Sequence, residues 1–193
     1  DDSKGLRKEV INFRYQAIVK ASELSKCLVD ILDIQNLNDD KYKTNYIIEE
    51  NIGKELWIEI GHATLPLDCY LEEFLKQMFI NETSKCFVKT KSNEICFTVR
   101  LKRIEFGGYF FEQNASKMFE LAKLYKENGV KMFKEYPLFA HNYFSLAAKC
   151  LLSYNPFDNI EDILTTDCNL KRKDFEELLQ NIYLNIAACL IKQ

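Results

Sequence analysis

Apolar and polar residues alternate over much of the first hundred positions, a period of two that is typical of β-strands with one buried face. Gly61 closes the clearest of these runs, and in a later run Cys96, Thr98, Arg100 and Lys102 form the polar face. That face is expected to meet water, as in an antiparallel sheet covered on one side only. The alternation predicts strands at 27–34, 56–60, 85–88 and 95–102, a weaker strand at 13–19, a polar loop at 36–43 and a hairpin turn at 91–93.

One helix is predicted among these strands. Pro66 suits the first turn of a helix, because its missing N–H would have no partner there. Apolar residues then recur at spacings of three and four, which places them on one broad stripe that can lie across a sheet. They are Leu67, Tyr70, Leu71, Phe74, Leu75 and Met78.

The hydrophobic period changes to that of helices after residue 109. The spacing predicts one helix over 115–133, a break at Tyr136 and Pro137, and a second helix as far as 153. Gly129 and Ala140 lie where these two antiparallel helices must approach closely. The stretch that follows, as far as 172, is expected to be irregular or to hold one short helix near 160–164. A longer helix then runs to the chain's end, and its apolar stripe is Phe175, Leu178, Leu179, Ile182, Ile186, Cys189 and Leu190.

Strands with one helix, followed by helices alone, predict an α+β domain and then an all-α domain. The change of period falls at 106–109, so the expected domains are 1–106 and 112–193. The last helix has no partner helix after it in the sequence. Because helical repeats need neighbours to cover their apolar faces, we expect the chain to be a piece of a longer protein.

Composition and charge narrow the functional classes. The chain has 26 Lys and Arg against 29 Asp and Glu, mixed along the sequence, and this balance gives no basic stripe for nucleic acid. No stretch approaches the ~20 apolar residues that span a bilayer, so no membrane span is expected. Seven cysteines without a C-x-x-C pair, and two distant histidines, predict neither a metal centre nor a bound cofactor. Unpaired thiols are typical of a reducing compartment, so we expect the cytoplasm and also the nucleus.

The second half carries a recognisable repeat pattern. The segment 126–134, followed by Ala140, Tyr143, Phe144 and Ala147, resembles a tetratricopeptide repeat. Residues 183–192 resemble the first helix of a second repeat. The resemblance implies a truncated array, with one complete repeat and the start of another. It also implies that this half binds peptides and partner proteins and performs no chemistry.

The order of elements in the first half resembles the later part of an FK506-binding-protein (FKBP) domain, and a weaker match over 5–34 rests on strand spacing and Cys27. FKBP domains are commonly followed by tetratricopeptide repeats, so the resemblance covers nearly the whole chain. It implies an antiparallel sheet with one crossing helix. The matching features are the strand 56–61, the helix 67–78 that ends in Met, Asn81 in place of the usual turn glycine, Glu82, and the strand 97–104.

In the FKBP family an aromatic cup takes up a prolyl ring and speeds rotation about the X-Pro bond, whose barrier is ~18–20 kcal/mol. The resemblance places the floor of the cup, usually Trp, at Leu71 and two aromatic walls at Ile31 and Leu56. Phe97 keeps its ring. Trp57 is one residue from a wall position, so the alternation turns it to the other face. The long loop before the last strand is also shortened, and the resemblance therefore implies that the chain is not an enzyme.

Candidate binding residues in the repeats come from the same resemblance. Repeats that hold the carboxyl-terminal tail of Hsp90 or Hsp70 use a Lys in the first helix and an Asn in the third, and Lys126 and Asn185 match these positions. An ammonium and an amide that converge in a groove suit a carboxylate. Val130 stands where a second Asn is common. The alternative is that Lys126 is a solvated lysine and that Asn185 caps a helix or bonds between helices.

A more apolar partner is expected to use a groove lined by Tyr125, Phe133 and Tyr143. The function that the resemblance implies is that of a non-catalytic FKBP-like adaptor that binds other proteins. Among FKBP proteins, the lost cup and the short loop are similar to members whose partner is a casein kinase 1 of the circadian clock. The alternatives are an Hsp90 co-chaperone and a peptidyl-prolyl isomerase with an atypical pocket.

Overall fold

A computed structural model describes residues 5–13, 19–37, 41–90, 93–154, 157, 160 and 170–192. The chain separates into two compact units, Asp1–Gly107 and Gly108–Gln193. The first contains strands and one helix, and the second contains helices. This arrangement confirms the predicted α+β class, with a sheet and a crossing helix in the first part and helices in the second.

Five antiparallel strands form the sheet of the first unit, in the order β1-β4-β5-β2-β3. The longest strand, β5, pairs with both β4 and β2 and therefore lies in the middle of the sheet. The predicted strands at 27–34, 56–60, 85–88 and 95–102 are all present, each within a few residues of its expected ends. The observed bounds are Leu6–Asn12 for β1, Lys26–Gln35 for β2, Glu55–Glu59 for β3, Thr83–Lys89 for β4 and Glu94–Glu105 for β5.

Helix α1, Pro66–Leu75, begins at the proline as predicted and supplies the apolar side of the core. Leu67, Leu71 and Leu75 are fully buried in one cluster with the inward side chains of the strands. The ring of Phe74 meets that of Phe97 on β5 edge to face, with 5.9 Å between the ring centres. Each such side chain contributes about 1.5–3 kcal/mol of burial free energy, so the packing of this helix is a large part of what stabilises the sheet.

The alternation pattern does not predict β1, and the weaker strand expected at 13–19 lies mostly outside the described residues. β1 is an edge strand that pairs with β4 alone, and of its side chains only Leu6 is fully buried. It therefore has almost no apolar alternation to detect. Its charged Lys8 reaches inward instead and forms an ion pair of 2.5 Å with the buried Glu82. The same Glu82 accepts hydrogen bonds from Ser84 and from the backbone N–H of Phe79.

The polar face of β5 is drier than its sequence predicts. Arg100 is exposed, but Cys96 and Thr98 are buried. Cys96 lies directly opposite Phe87 on β4, and the guanidinium of Arg7 on β1 stacks 3.6 Å above the centre of that ring. Long charged side chains therefore cover this face, which was expected to contact water. Their aliphatic stems shield the apolar surface while the charged groups remain in solvent.

Two buried carboxylates on α1 hold two loops of the first unit. Asp68 accepts hydrogen bonds from the Thr44 hydroxyl and from the backbone N–H groups of Asn45 (2.9 Å) and Tyr46 (3.4 Å). One turn later, Glu72 accepts from three consecutive N–H groups, those of residues 61 to 63, at 2.8 to 3.1 Å. The loops 44–46 and 61–63 are therefore pinned to the helix.

The loop predicted at 36–43 is ordered at its described ends. Leu37 and Tyr42 pack partly against the core, and the ring of Tyr42 stacks on that of Tyr70 with 6.5 Å between centres. Residues 38–40 lie outside the described part of the chain. The composition suggests a polar loop, but Leu37 and Tyr42 at its described ends pack against the core.

Among its described residues, the second unit has three α-helices: α2, Ala115–Phe133; α3, Pro137–Leu152; and α4, Arg172–Lys192. The side chain of Asn114 caps α2 by accepting a hydrogen bond from the N–H of Lys117 at 2.8 Å. The first two helices form the predicted hairpin, and Gly129 of α2 lies against the ring of the buried Phe144 of α3. The small residue is needed there because any β-carbon would occupy the space of the ring.

Helix α4 buries one stripe, but a narrower one than its sequence predicts. Phe175, Leu178, Ile182 and Cys189 are buried. Leu190, which was expected on this stripe, is exposed because it lies about 100° around the helix axis from the buried Cys189. The short helix expected near 160–164 falls largely outside the described residues. Of the described helices, none is both long and apolar enough to cross a membrane.

The buried position of Glu72 predicts a pH effect on stability. Burial raises its pKa from an ordinary value of 4.5 to about 7, against the three backbone hydrogen bonds that lower it. A group that binds its proton more tightly in the folded state stabilises the fold below pH 4.5, and that contribution is lost as the pH rises to about 7. The free energy of unfolding of the natural chain, minus that of Glu72→Gln, should therefore fall by about 3 kcal/mol over this range.

Urea titrations followed by the fluorescence of Trp57, the single tryptophan, measure this difference. Glu73→Gln removes the same charge from the neighbouring, more exposed position on the helix and serves as the control. A difference for Glu72→Gln that stays flat across the range, or one that Glu73→Gln reproduces, would contradict the assignment.

The contact between Gly129 and Phe144 predicts a packing defect in Gly129→Ala. The added β-carbon would lie 2.6 Å from Cε1 and 2.8 Å from Cδ1 of the ring. Overpacking of this kind costs about 1–3 kcal/mol, which outweighs the gain of roughly 1 kcal/mol from alanine's better helix propensity. Thermal unfolding by circular dichroism should show the loss, whereas Val130→Ala at the exposed neighbouring position should not. Adding Phe144→Leu to the Gly129→Ala variant should relieve part of this packing cost. If the losses of stability from the two substitutions simply add, the contact is refuted.

Candidate functional site

Helices α2 and α4 of the second unit run in the same direction and leave a groove between them. Near their starts, the rings of Phe119 and Phe175 lie 4.7 Å apart. Near their ends, the Lys192 ammonium lies 4.7 Å above the ring of Phe133. It donates hydrogen bonds to the carbonyl groups of Phe133 (2.9 Å), the last residue of α2, and of the capping Lys134 (2.6 Å). The two helices are thus tied together at both ends.

The groove between these ties has a volume of about 510 Å³ and is mostly charged. Two lysines and Glu127 on α2 face two carboxylates on α4, and apolar side chains complete the lining. Lys123 pairs with Glu120 at 3.2 Å, an exposed pair of the kind that contributes less than about 1 kcal/mol. Its lining residues are Phe119, Lys123, Lys126 and Glu127 from α2, Leu170 before α4, and Asp174, Glu177, Leu178 and Asn181 from α4.

Of the two predicted clamp residues, Lys126 lines this groove and Asn185 is not among its lining residues. Asn181, one helical turn earlier on α4, takes that place. The sequence signal for Asn181 is its spacing, three residues after Leu178 and four before Asn185, which puts all three on one side of the helix. Val130, four residues after Lys126, is exposed and offers no hydrogen bond from its side chain.

The aromatic residues predicted to line an apolar groove lie elsewhere. Tyr125 and Tyr143 are only 1% and 6% exposed, and their rings are 6.1 Å apart in the contact between α2 and α3. This burial removes them from the surface that a peptide could touch. Phe133 is partly exposed, but the Lys192 ammonium covers its ring. These three residues serve the packing of the helices in this structure.

In the first unit, the positions that correspond to the prolyl cup lie in the core. Ile31 and Leu71 are 0% exposed, and Leu56 packs partly buried against the same cluster. Phe97, the one aromatic residue of the set, is buried against Phe74. The connection before β5 is short, because Thr90 and Asn93 close it with backbone and side-chain hydrogen bonds of 2.8 and 2.9 Å; residues 91 and 92 lie outside the described part.

Comparison with known families agrees with both halves of this description. Residues 1–106 match the family model for the BDBT FKBP-like N-terminal domain, and residues 114–193 match that for the Bride of doubletime-like TPR domain. The chain belongs to the Bride of doubletime family.

Similarity to individual members extends over the whole chain. This chain is 32% identical to the protein Bride of doubletime of Drosophila melanogaster over 198 residues, which is 100% of this chain and 68% of that protein. The crystal structure of residues 1–211 of CG17282 shares the fold with a TM-score of 0.86 at 32% identity, covering 99% of this chain and 91% of that one. The family assignment supports an FKBP-like domain protein with tetratricopeptide repeats, and repeats of this type are associated with protein–protein interaction.

Proposed function

We propose that this chain is a non-catalytic FKBP-like adaptor that binds a partner protein in the groove between α2 and α4. The observation that carries the proposal is the burial of the cup positions, above all Ile31 and Leu71, which have no exposed surface. A prolyl ring needs an open apolar cavity with aromatic walls. Here aliphatic side chains occupy that place and form part of the core.

Opening a cup at this place would be costly. Displacing Ile31 or Leu71 from the core would forfeit about 1.5–3 kcal/mol for each side chain, a large part of the stability of a small domain. Binding of a prolyl ring would have to supply that free energy before any catalysis began. An atypical isomerase pocket, the enzymatic alternative, is therefore disfavoured on energetic grounds.

The enzymatic alternative predicts an activity that the adaptor lacks. The chain should not accelerate cis–trans isomerisation of an X-Pro peptide, which takes tens to hundreds of seconds without a catalyst, and it should not bind FK506. A protease-coupled assay measures the first, with an active FKBP domain as the positive control, and calorimetry measures the second. A rate clearly above the uncatalysed one, or FK506 binding in the micromolar range or tighter, would overturn the non-catalytic assignment.

The partner that family membership favours is a casein kinase 1 of the circadian clock, met in the cytoplasm and the nucleus. The charges of the groove suit the surface of a folded protein of mixed charge. Lys123, Lys126 and Glu127 face Asp174 and Glu177, so both signs are available within one site. Such a pattern favours a partner that carries matching charges of both signs.

An Hsp90 co-chaperone is the second candidate, and Lys126 is the observation that favours it. A lysine in the groove can form a charge-assisted bond to a terminal carboxylate. The three carboxylates around it would repel the acidic tail, and Val130 stands where a second amide would help. The balance of charge therefore favours the kinase over the Hsp90 tail.

Reversal of one charge separates these candidates. Lys126→Glu should weaken binding of purified casein kinase 1 by about 1.5–3 kcal/mol if the ammonium forms a charged hydrogen bond to the partner. Lys131→Glu makes the same change on an exposed position of α2 outside the groove and should leave the affinity unaltered. Calorimetry with the kinase, and separately with the Hsp90 tail peptide, measures both.

The outcomes are distinct. Tail binding that Lys126→Glu abolishes and Lys131→Glu preserves would establish the co-chaperone candidate in place of the kinase. If Lys126→Glu leaves the affinity for the kinase unchanged, the binding surface lies outside the groove. Circular dichroism on each variant confirms that the helices are intact, since both positions have side chains outside the core.

A further inference from the structure

Strand β3 lies at the margin of the sheet, and its outer edge carries backbone groups that point away from β2. Among the described strands, β2 alone pairs with it. The N–H of Ile60 donates to the carbonyl of Ser25 at 3.0 Å, so these two residues form a hydrogen-bonded pair. Bonded and non-bonded pairs alternate in an antiparallel ladder, and three residues earlier Trp57 lies opposite Leu28 in a non-bonded pair. The N–H and C=O groups of Trp57 are therefore directed outward.

The two edges of the sheet differ in how they are protected. Along β3, Glu55 points its backbone the same way as Trp57, and no other described residue forms a backbone hydrogen bond with the outward groups of these two. The register of β3 is regular. On β1, by contrast, the register breaks between Val10 and Asn12, and the charged Lys8 points inward. Breaks and inward charges of this kind prevent pairing at an edge, so β3 is the edge that is open to a further strand.

A cavity of about 570 Å³ lies at the end of β3 that contains Trp57 and Glu59. This volume is within the range of about 300–1,000 Å³ that is usual for binding clefts. The buried carboxylates of α1 hold two of its walls, because they accept hydrogen bonds from the N–H groups of Tyr46 and His62. The open edge therefore adjoins space with fixed walls. The residues that line it are Lys26, Tyr46, Trp57, Glu59, His62 and Glu105.

The carboxylates around β3 leave no excess charge to attract a ligand, because each is already paired with a basic side chain. The apolar surface that remains is the indole of Trp57, which is 45% exposed and has the guanidinium of Arg103 6.0 Å from the centre of its ring. An uncharged segment with one apolar side chain matches this surface. The ion pairs are Glu59 with Lys26, Glu105 with Arg103, and Glu55 with Lys102.

We propose that β3 binds an uncharged, extended segment of a partner protein, which adds a sixth strand to the sheet at this edge. In strand addition, main-chain hydrogen bonds supply the affinity and alternate side chains supply the specificity. Glu55 and Trp57 provide the main-chain groups, and the indole contacts the apolar side chain opposite it. The interaction goes beyond the proposed groove and uses none of its residues.

A second copy of the chain is a poorer occupant of the same edge. Two β3 strands that pair in antiparallel fashion about Trp57 would place Glu55 of one copy opposite Glu59 of the other. Like charges directly opposite each other destabilise a sheet. The charge pattern along β3 therefore favours a different, uncharged strand.

A capped peptide of the sequence Ser-Thr-Val-Thr-Val-Thr-Ser tests the proposal on the whole chain. Trp57 is the single tryptophan, so its fluorescence should shift to shorter wavelength as the peptide covers it. Methylation of the backbone nitrogens of both valines removes the N–H groups that would face β3, and binding should weaken by about tenfold or more. The matched control is methylation of two threonine nitrogens, which face away from β3 in an added strand, and it should change the affinity by less than about twofold.

Variants of the chain test the same main-chain contact from the other side. Trp57→Pro removes the outward N–H at an edge position, where proline is tolerated, and Trp57→Val removes the indole but keeps the N–H. By fluorescence polarisation, the labelled peptide should bind Trp57→Pro about three- to tenfold more weakly than Trp57→Val. Circular dichroism checks that both variants fold, and the methylated peptides with the natural chain decide the question if Trp57→Pro does not. Lys126→Glu should have no effect, which separates this edge from the groove.

Several results would overturn the proposal. Equal weakening by the two methylated peptides would refute strand addition. Affinity that falls steeply between about 0.05 and 0.5 M salt would mean that charge attracts the peptide. Main-chain recognition tolerates many sequences, so absence of binding would remove the site. Self-association of the chain that Trp57→Pro abolishes, seen by sedimentation, would make a second copy the occupant.

Discussion

The burial of two carboxylates on helix α1 is the constraint on which the loops of the FKBP-like unit depend. The helix must cover the sheet with its leucines, and in doing so it carries Asp68 and Glu72 out of water. A buried carboxylate without partners would cost several kcal/mol. The backbone N–H groups of loops 44–46 and 61–63 meet that need, so the paths of both loops follow from the position of the helix.

The same core shows how this sheet is stable without an open pocket at these positions. Aromatic residues at positions 31 and 71 would have to pack in the core and also contact a ligand. The aliphatic Ile31 and Leu71 only pack in the core. Stability of the sheet then makes no demand on an open pocket. One surface feature that we propose for binding is the mixed-charge groove between α2 and α4, because function follows the site and not the fold.

Long elements with a strong hydrophobic period could be predicted from the sequence, and elements set by polar contacts could not. β5 and the hairpin of α2 and α3 agree with prediction because each repeats its period many times. The sequence did not predict β1, because an edge strand needs no apolar face and Lys8 is the side chain that points inward. An aromatic stripe such as Tyr125 looks the same in sequence whether it faces another helix or a ligand. The roles of Asp68 and Glu72 depend on distant loops, which local spacing does not reveal.

The strand order also determines when the sheet can form during synthesis. β1 pairs with β4, so Leu6 meets its partner Val88 only after more than eighty further residues have been made. β2 likewise waits for β5, where Lys26 meets Glu105. At ribosomal rates of about 5–20 residues per second, the early strands spend on the order of ten seconds without partners. Polar, charged side chains along β1 suit that interval, because an edge strand of this kind resists pairing with other nascent chains.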